Sequence, residues 1–266
     1  MTLELYSNDS SYYSMIARLV LAEKDVKYNL NQVDIHIKME QFNPEYVRIQ
    51  PNMTVPVLVS VNDIFDSSEK ILRYVNEHFA GVNLYPEEDR LAIDDSLRRH
   101  YAFSIEDLTM GNAMRKSPIA KFALGRGLDR GTEKCLELMK KHPEFSVACE
   151  KKLDLEKERR KLILSKENNY EQMLKQATEV CDFLEDSLAK HQYAASNSYS
   201  LADVVWTVFI ARLFMIKFDS MITSRKNLNN YWQRMSSRES FMRANIRMAM
   251  PKKLLFRIML ALIFKI

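Results

Sequence analysis

The run Thr54-Val55-Pro56-Val57-Leu58-Val59 limits what this chain can fold into more than any other stretch. It is apolar and β-prone, yet it contains a proline. Pro56 has no N–H to give a sheet ladder, so it belongs where a strand begins or on a sheet edge. Val57, Leu58, Val59 and Val61 supply a strand, and Asn62-Asp63 supplies a hairpin-like turn into Ile64-Phe65. Upstream, Gln50-Pro51-Asn52 reads as a turn. On local grounds a trans proline at an edge is the default. A cis Val55–Pro56 bond, the state of only about 5–6% of X–Pro bonds in folded proteins, is the alternative. It would hold the N–H and C=O of Val55 out of the sheet, free for a ligand.

Ahead of this run, Leu3 to Tyr6 alternates apolar and polar residues, and Ser7 to Ser10 breaks the pattern. Met15, Ile16, Leu19 and Val20 then recur at helical spacing, with Asp9, Ser10 or Ser11 available as the cap. The first free N–H groups of such a helix favour an anion or a thiolate nearby. Tyr28 to Val33 reads as a strand, and Asp34 to Tyr46 as a short, irregular helical stretch. Asp66-Ser67-Ser68-Glu69 opens a helix carrying Ile71, Leu72, Val75 and Phe79, with Gly81 placed for its C-terminal cap. The order β-α-β-α-β-β-α predicts one α/β domain over residues 1–81.

Val82 to Asp89 is polar, contains Pro86 and reads as a linker. Residues 90–250 show no strand pattern and predict an all-α domain. Leu91 to Met110 suits one helix, with Ile93, Leu97, Tyr101, Ile105 and Leu108 near one face. Pro118, Gly125, Gly127 and Gly131 predict an interrupted region, followed by a helix from Thr132 to His142. Pro143 opens a long, highly charged helix through Glu150 to Lys161. Mixed charges at these spacings suit a solvated face; a protruding arm for a partner is the other reading. Tyr170 to Ala189 is amphipathic. Ser200-Leu201-Ala202-Asp203 forms a capping box, flanked by Tyr199 and Val204 as a hydrophobic staple. The helix that follows, to about Met215, is apolar nearly all round and therefore buried.

With 266 residues, 47% of them hydrophobic, the chain can bury a sizeable core. Cys135, Cys149 and Cys181 are odd in number and lack metal-ligand spacing, so a reducing, cytoplasmic setting without structural metal is expected. Met1 to Leu5 offers no basic n-region or long apolar run, so no secretory leader is expected. A net charge of +4 is small for a nucleic-acid binder. Much of it sits at the end, where Arg243, Arg247, Lys252, Lys253, Arg257 and Lys265 bracket Leu254 to Phe256 and Ile258 to Phe264. That run is too short to span a bilayer, which takes about 20 residues. Residues 251–266 therefore read as a tail that lies on anionic lipid, or as a terminal helix folded over the protein or a dimer mate.

The α/β unit with Val55-Pro56 before its third strand, the serine-bearing helix start after the fourth and the Ser200/Asp203 box together resemble the cytosolic glutathione transferase family. The likeness covers nearly the whole chain. It extends to the tetrachlorohydroquinone reductive dehalogenase-like members through Val33-Asp34-Ile35, Phe42 to Arg48, Ser198 to Arg212, and Asn227-Leu228 through Arg234-Met235. The long central insert and apolar C-terminus are similar to the ganglioside-induced differentiation-associated proteins. This resemblance implies a thioredoxin-like N-terminal domain, an all-α C-terminal domain, a cis Pro56, a homodimer and glutathione as co-substrate. The Val55 backbone would pair with the cysteinyl backbone of glutathione, and Ser68 would receive its γ-glutamyl carboxylate. The family's acidic residue just before that serine is Ser67 here, with Asp66 one residue earlier. Lys38 or Gln41 is the candidate for the glycine carboxylate. Ser11 is the candidate catalytic hydroxyl, with Ser10 and Ser14 as alternatives and Tyr6 or Tyr13 as sources of a phenol; a plain helix cap is the other reading of Ser11. The dehalogenase-like members carry a cysteine that aligns with Tyr13, and no cysteine precedes Cys135, which argues against reductive dehalogenation. Two functions follow: a glutathione transferase acting on a small electrophilic, aromatic or quinoid compound, or a non-catalytic scaffold that uses its charged arm and tail for a partner or membrane.

Overall fold

The computed structural model describes residues 3–164 and 170–264; Lys265 of the basic tail lies outside them. The chain runs β1 (Glu4–Ser7), α1 (Tyr12–Glu23), β2 (Asn29–Gln32), a 3-10 turn at Glu40–Phe42, α2 (Pro44–Ile49), β3 (Val57–Val59), β4 (Ile64–Phe65) and α3 (Ser68–His78). The sheet order is β2-β1-β3-β4, with β1 parallel to β2 and antiparallel to β3. Leu5 pairs with Leu58 and Tyr6 with Val57. The two-residue period of a strand sends these pairs to opposite faces. Leu5 and Leu58 join the core under α1 and α3. Tyr6 and Val57 join a smaller cluster with Val33, Tyr46 and Val55 under α2. This is the thioredoxin-like half.

The rest is helical: α4 (Arg90–Ala102), α5 (Ile105–Lys116), α6 (Pro118–Lys141), α7 (Ser146–Leu164), α8 (Tyr170–Leu188), α9 (Leu201–Met215), α10 (Ser220–Thr223), α11 (Lys226–Ser236), α12 (Glu239–Arg243) and α13 (Lys252–Phe264). Every residue of α9 from Leu201 to Leu213 is buried. Both halves of the capping box form: Ser200 caps the Asp203 N–H, and the Asp203 carboxylate accepts from the Ser200 N–H at 2.8 Å. Helix α1 packs against α3 on one side and α9 on the other, so one core runs through both domains.

Four local expectations are corrected. The helix expected over Leu91 to Met110 is two helices, because Phe103 is extended and Ser104 caps α5 by accepting from the Asp107 N–H at 3.3 Å. The region expected to be interrupted between Lys116 and Gly131 is one continuous helix, α6. Pro118 stands at its first turn, where a missing N–H costs nothing, and Ser117 caps it. Each glycine lowers helix propensity by about 1 kcal/mol without breaking the helix. Gly131 packs against the N-terminal domain, with Phe42 and Met39 atoms 3.8 and 3.9 Å from where a Cβ would stand. Gly81 does not cap α3, which ends at His78 with Phe79 extended; Gly81 has a φ of +106° in the turn beyond. The charged helix α7 is not a free arm. It folds back on α6 and against α5, and its Cys149 is buried with Cys135, Leu138, Met39, Phe42, Val47 and Met53. The tail helix α13 packs on α6. No described helix is long and apolar enough to cross a membrane.

Candidate functional site

Three features share one end of the sheet: the approach to β3 and, following the ends of β1 and β4, the starts of α1 and α3. The Val55–Pro56 bond is cis, as the resemblance implies and against the local default. Ladder pairing of β3 begins at Val57. Among the described residues the N–H and C=O of Val55 have no hydrogen-bond partner. The segment before it is braced from both sides. The Tyr46 hydroxyl donates to the Thr54 carbonyl at 2.6 Å. Gln50, fully buried, donates to the Asp66 carbonyl at 2.9 Å and accepts from the Asn52 N–H at 3.3 Å. Gln50 thus ties the turn before Val55 to the residues that open α3.

At that opening Ser67 is the helix cap and accepts from the Lys70 N–H at 3.3 Å. The N–H groups of Ser68 and Glu69 remain without partners among the described residues, which is the arrangement that receives an anion. The Ser68 side chain is buried, and its hydroxyl shares a 3.0 Å hydrogen bond with that of Tyr101 on α4. Burial pushes the Tyr101 phenol well above its ordinary range, so it stays a neutral partner. Asp66, the acid nearest the position where the resemblance expects one, is paired with Lys70 at 2.7 Å. Neither expected glycine-carboxylate group points clearly to that role. Lys38 is exposed and 3.5 Å from Glu40, while Gln41 is buried, its amide near the Ile35 carbonyl and its Oε1 unpartnered.

The start of α1 separates the hydroxyl candidates. Ser11 is the helix cap, its Oγ accepting from the Ser14 N–H at 3.4 Å, and its own proton has no acceptor among the described residues. Ser10 is engaged twice, at 2.6 Å with Asn8 Oδ1 and 2.7 Å with His36 Nε2. Ser14 is fully buried and accepts from the Asn8 N–H. Tyr6 donates to Glu4 at 3.2 Å. Tyr13 packs edge-on against Tyr12, and burial pushes its phenol up to about 12. The Tyr12 hydroxyl and His100 Nε2 lie 2.6 Å apart, fastening α1 to α4. None of the three cysteines is near: all are buried, in α6, α7 and α8, and burial pushes Cys135 and Cys181 up to about 12.

Nothing in the sequence pattern gave Arg212 a part in the site. It is the basic residue in the apolar run of α9, is 6% exposed, and donates to the Ser10 carbonyl at 3.0 Å. A charge inside a helix that is otherwise apolar all round was the available signal. Gln50 gave a weaker one, a polar residue before a turn proline.

The sheet end with its cis proline belongs to a thioredoxin-like domain, and similarity to known proteins gives the family. The models "Glutathione S-transferase, N-terminal domain" and "Glutathione S-transferase, C-terminal domain" match residues 5–83 and 138–239. The chain belongs to the glutathione S-transferase family. It is 29% identical over 255 residues to a tetrachloro-p-hydroquinone reductive dehalogenase of Sphingobium chlorophenolicum, covering 91% of this chain and 95% of that protein. It is 26% identical to the glutathione S-transferase TCHQD of Arabidopsis thaliana, covering 90% and 88%. Glutathione transferase F2 of Populus trichocarpa shares the fold with a TM-score of 0.66 at 21% identity, over 91% of this chain and 96% of that one. The β-etherase LigF of a Sphingobium strain does so at 0.68 and 19%, over 92% and 98%.

Proposed function

We propose that this chain is a glutathione transferase that joins glutathione to, or moves it from, a small electrophilic compound of aromatic or quinoid type. The observation that carries the reading is the unpartnered main chain of Val55, held at the end of the sheet from which α1 and α3 start. A γ-glutamyl tripeptide can pair with this free main chain in the manner of β-augmentation. Its cysteinyl backbone pairs with Val55, and its γ-glutamyl carboxylate takes the Ser68 hydroxyl together with the N–H groups of Ser68 and Glu69. The thiol proton leaves to solvent, and the Ser11 hydroxyl donates a hydrogen bond to the sulfur, which favours the thiolate. The thiolate then forms a carbon–sulfur bond, and the leaving group departs with its electron pair. With Ser67 at the usual acidic position and Asp66 held by Lys70, the γ-glutamyl amine lacks a free carboxylate. Weak glutathione binding is therefore expected. Calorimetric titration tests this: saturable binding lost in Ser68→Ala supports the reading, and no heat at millimolar glutathione overturns it.

Leu255 and Phe256 keep a second reading open. Both are about half exposed on α13 beside exposed Lys252, Lys253 and Arg257. That face suits peripheral contact with anionic lipid. Co-sedimentation with anionic vesicles, lost in the Leu255→Asp/Phe256→Asp double variant, is the expected outcome for a membrane-peripheral scaffold. For a homodimer, the cleft between α3 and α4 offers Glu69 and Asp94 beside Arg73 and Arg98, a mixed-charge face that can pair with a second copy.

A further inference from the structure

We infer that Arg212 is the cation that holds the glutathione sulfur in its charged form, working from the helical domain across to the start of α1. This rests on the transferase reading above. Arg212 lies nine residues after Asp203 on α9 and is more than nine-tenths buried. One amino group donates to the Ser10 carbonyl at 3.0 Å, and the guanidinium carbon is 5.5 Å from the Tyr12 ring centroid. Its Nε is buried with no hydrogen-bond partner. Among the described residues no carboxylate lies within ion-pair distance of it.

A buried cation with neither a counter-ion nor a full set of acceptors is costly, and the cost falls when an anion arrives. The carboxylate whose charge reaches Arg212 is Glu106, on α5. It lies 3.7 Å from Arg159 of α7, which also lies 3.8 Å from Asp107. On α1 the facing groups are the neutral phenols of Tyr12 and Tyr13, with neutral His100 behind Tyr12. On the other flank Asp9 is paired with Arg247 at 2.5 Å, and His36 is bonded to Ser10. Arg18, also buried, is committed to the Ser7 hydroxyl and to main-chain carbonyls. The insert helix α7 therefore has a part here: Arg159 offsets part of the acid charge of Glu106 and Asp107 that faces Arg212 and the start of α1. That charge adds to the positive end of α1, where Ser11 offers its proton. A single cation close to a thiol at an effective dielectric near 20 lowers its pKa by about one to two units.

The alternative is a tie that only anchors the Ser10 carbonyl to α9. The pKa of glutathione bound to the full chain separates the two, read from the ultraviolet absorbance of the thiolate against pH. The bound thiol of the wild type is expected well below its solution value. In Arg212→Gln it should rise by about one to two units, lowering turnover at pH 7 by about tenfold or more, while KM for glutathione stays within a few-fold. Arg212→Lys should restore most of the shift. A folded Arg212→Gln whose bound thiol titrates as in the wild type overturns the inference. So does a wild type whose bound thiol keeps its solution pKa, a result that needs no variant to fold. Absence of glutathione binding in calorimetry overturns the transferase reading itself and this inference with it.

Discussion

Replacing His100 by glutamine isolates the buried joint that fastens α1 to the helical domain. The imidazole stacks on Tyr12 at a ring separation of 5.7 Å and meets the edges of Tyr101 and Trp206. Burial drives its pKa down to about 3, against about 6.5 in an unfolded chain. Below pH 6.5 the unfolded chain takes up a proton that the folded one refuses. Stability from this residue is therefore complete above about pH 6.5 and is lost as the pH falls toward 3, at about 1.4 kcal/mol per unit. Asp203 opposes it. Burial raises that carboxyl to about 6 despite four donated hydrogen bonds. Between about pH 4 and 6 the folded state holds the extra proton, so acidification favours folding there and the advantage is gone above 6. The two nearly cancel in the wild type, and only a difference exposes either. Urea unfolding of wild type and His100→Gln across pH 4 to 7 should give free energies whose difference changes by about 2–3 kcal/mol between pH 6 and 4. The variant gains relative to the wild type on the acid side. Parallel profiles would refute the reasoning, since His100 would then titrate alike in both states.

Ser11→Ala should lower turnover at neutral pH by about 10- to 100-fold, the worth of one hydrogen bond to a charged group, at about 1.5–3 kcal/mol. Its melting temperature should fall only by the loss of a helix cap, about 1 kcal/mol. Asp203→Ala leaves the Ser200 and Ala194 N–H groups and the Tyr231 hydroxyl without their acceptor, and should cost about 3–5 kcal/mol in urea titration, with loss of the folded state as the upper limit. Two glycines should respond with opposite sign. At Gly131 an added Cβ meets Phe42 at an ordinary 3.8 Å, so alanine should gain up to about 1 kcal/mol of helix propensity. At Gly111 it meets Tyr170 Cδ2 at 2.9 Å, so alanine should destabilise.

What was legible in the sequence is what short-range chemistry decides. Pro56 at a strand entrance and the Ser200–Asp203 box are each set by two or three neighbouring residues, and both formed where expected. Breaks were harder. Ser104-x-x-Asp107 carries a capping signal, but apolar periodicity continues past it, and the periodicity was the louder of the two. The glycines of α6 suggested interruption because their cost is local, whereas the packing of Gly131 on Met39 and Phe42 is set by residues about 90 positions away. The place of α13 on α6 was beyond reach for the same reason.

The site shows that limit most sharply. Ser10, Ser11 and Ser14 are equivalent as residue types, and helical phase alone does not rank them. They differ in where their protons go, which depends on distant partners. Asn8 and His36 occupy Ser10, full burial closes off Ser14, and Ser11 accepts from the helix while keeping a proton to give. The charge beside them comes from Arg212, two hundred residues downstream, on a helix whose pattern signals only burial. An acid–base site of this kind is therefore written in two parts of the chain. The main-chain cradle at Val55 is local and readable. The electrostatics that would make it reactive depend on which residue of the buried helix meets the start of α1, and only the packed fold decides that.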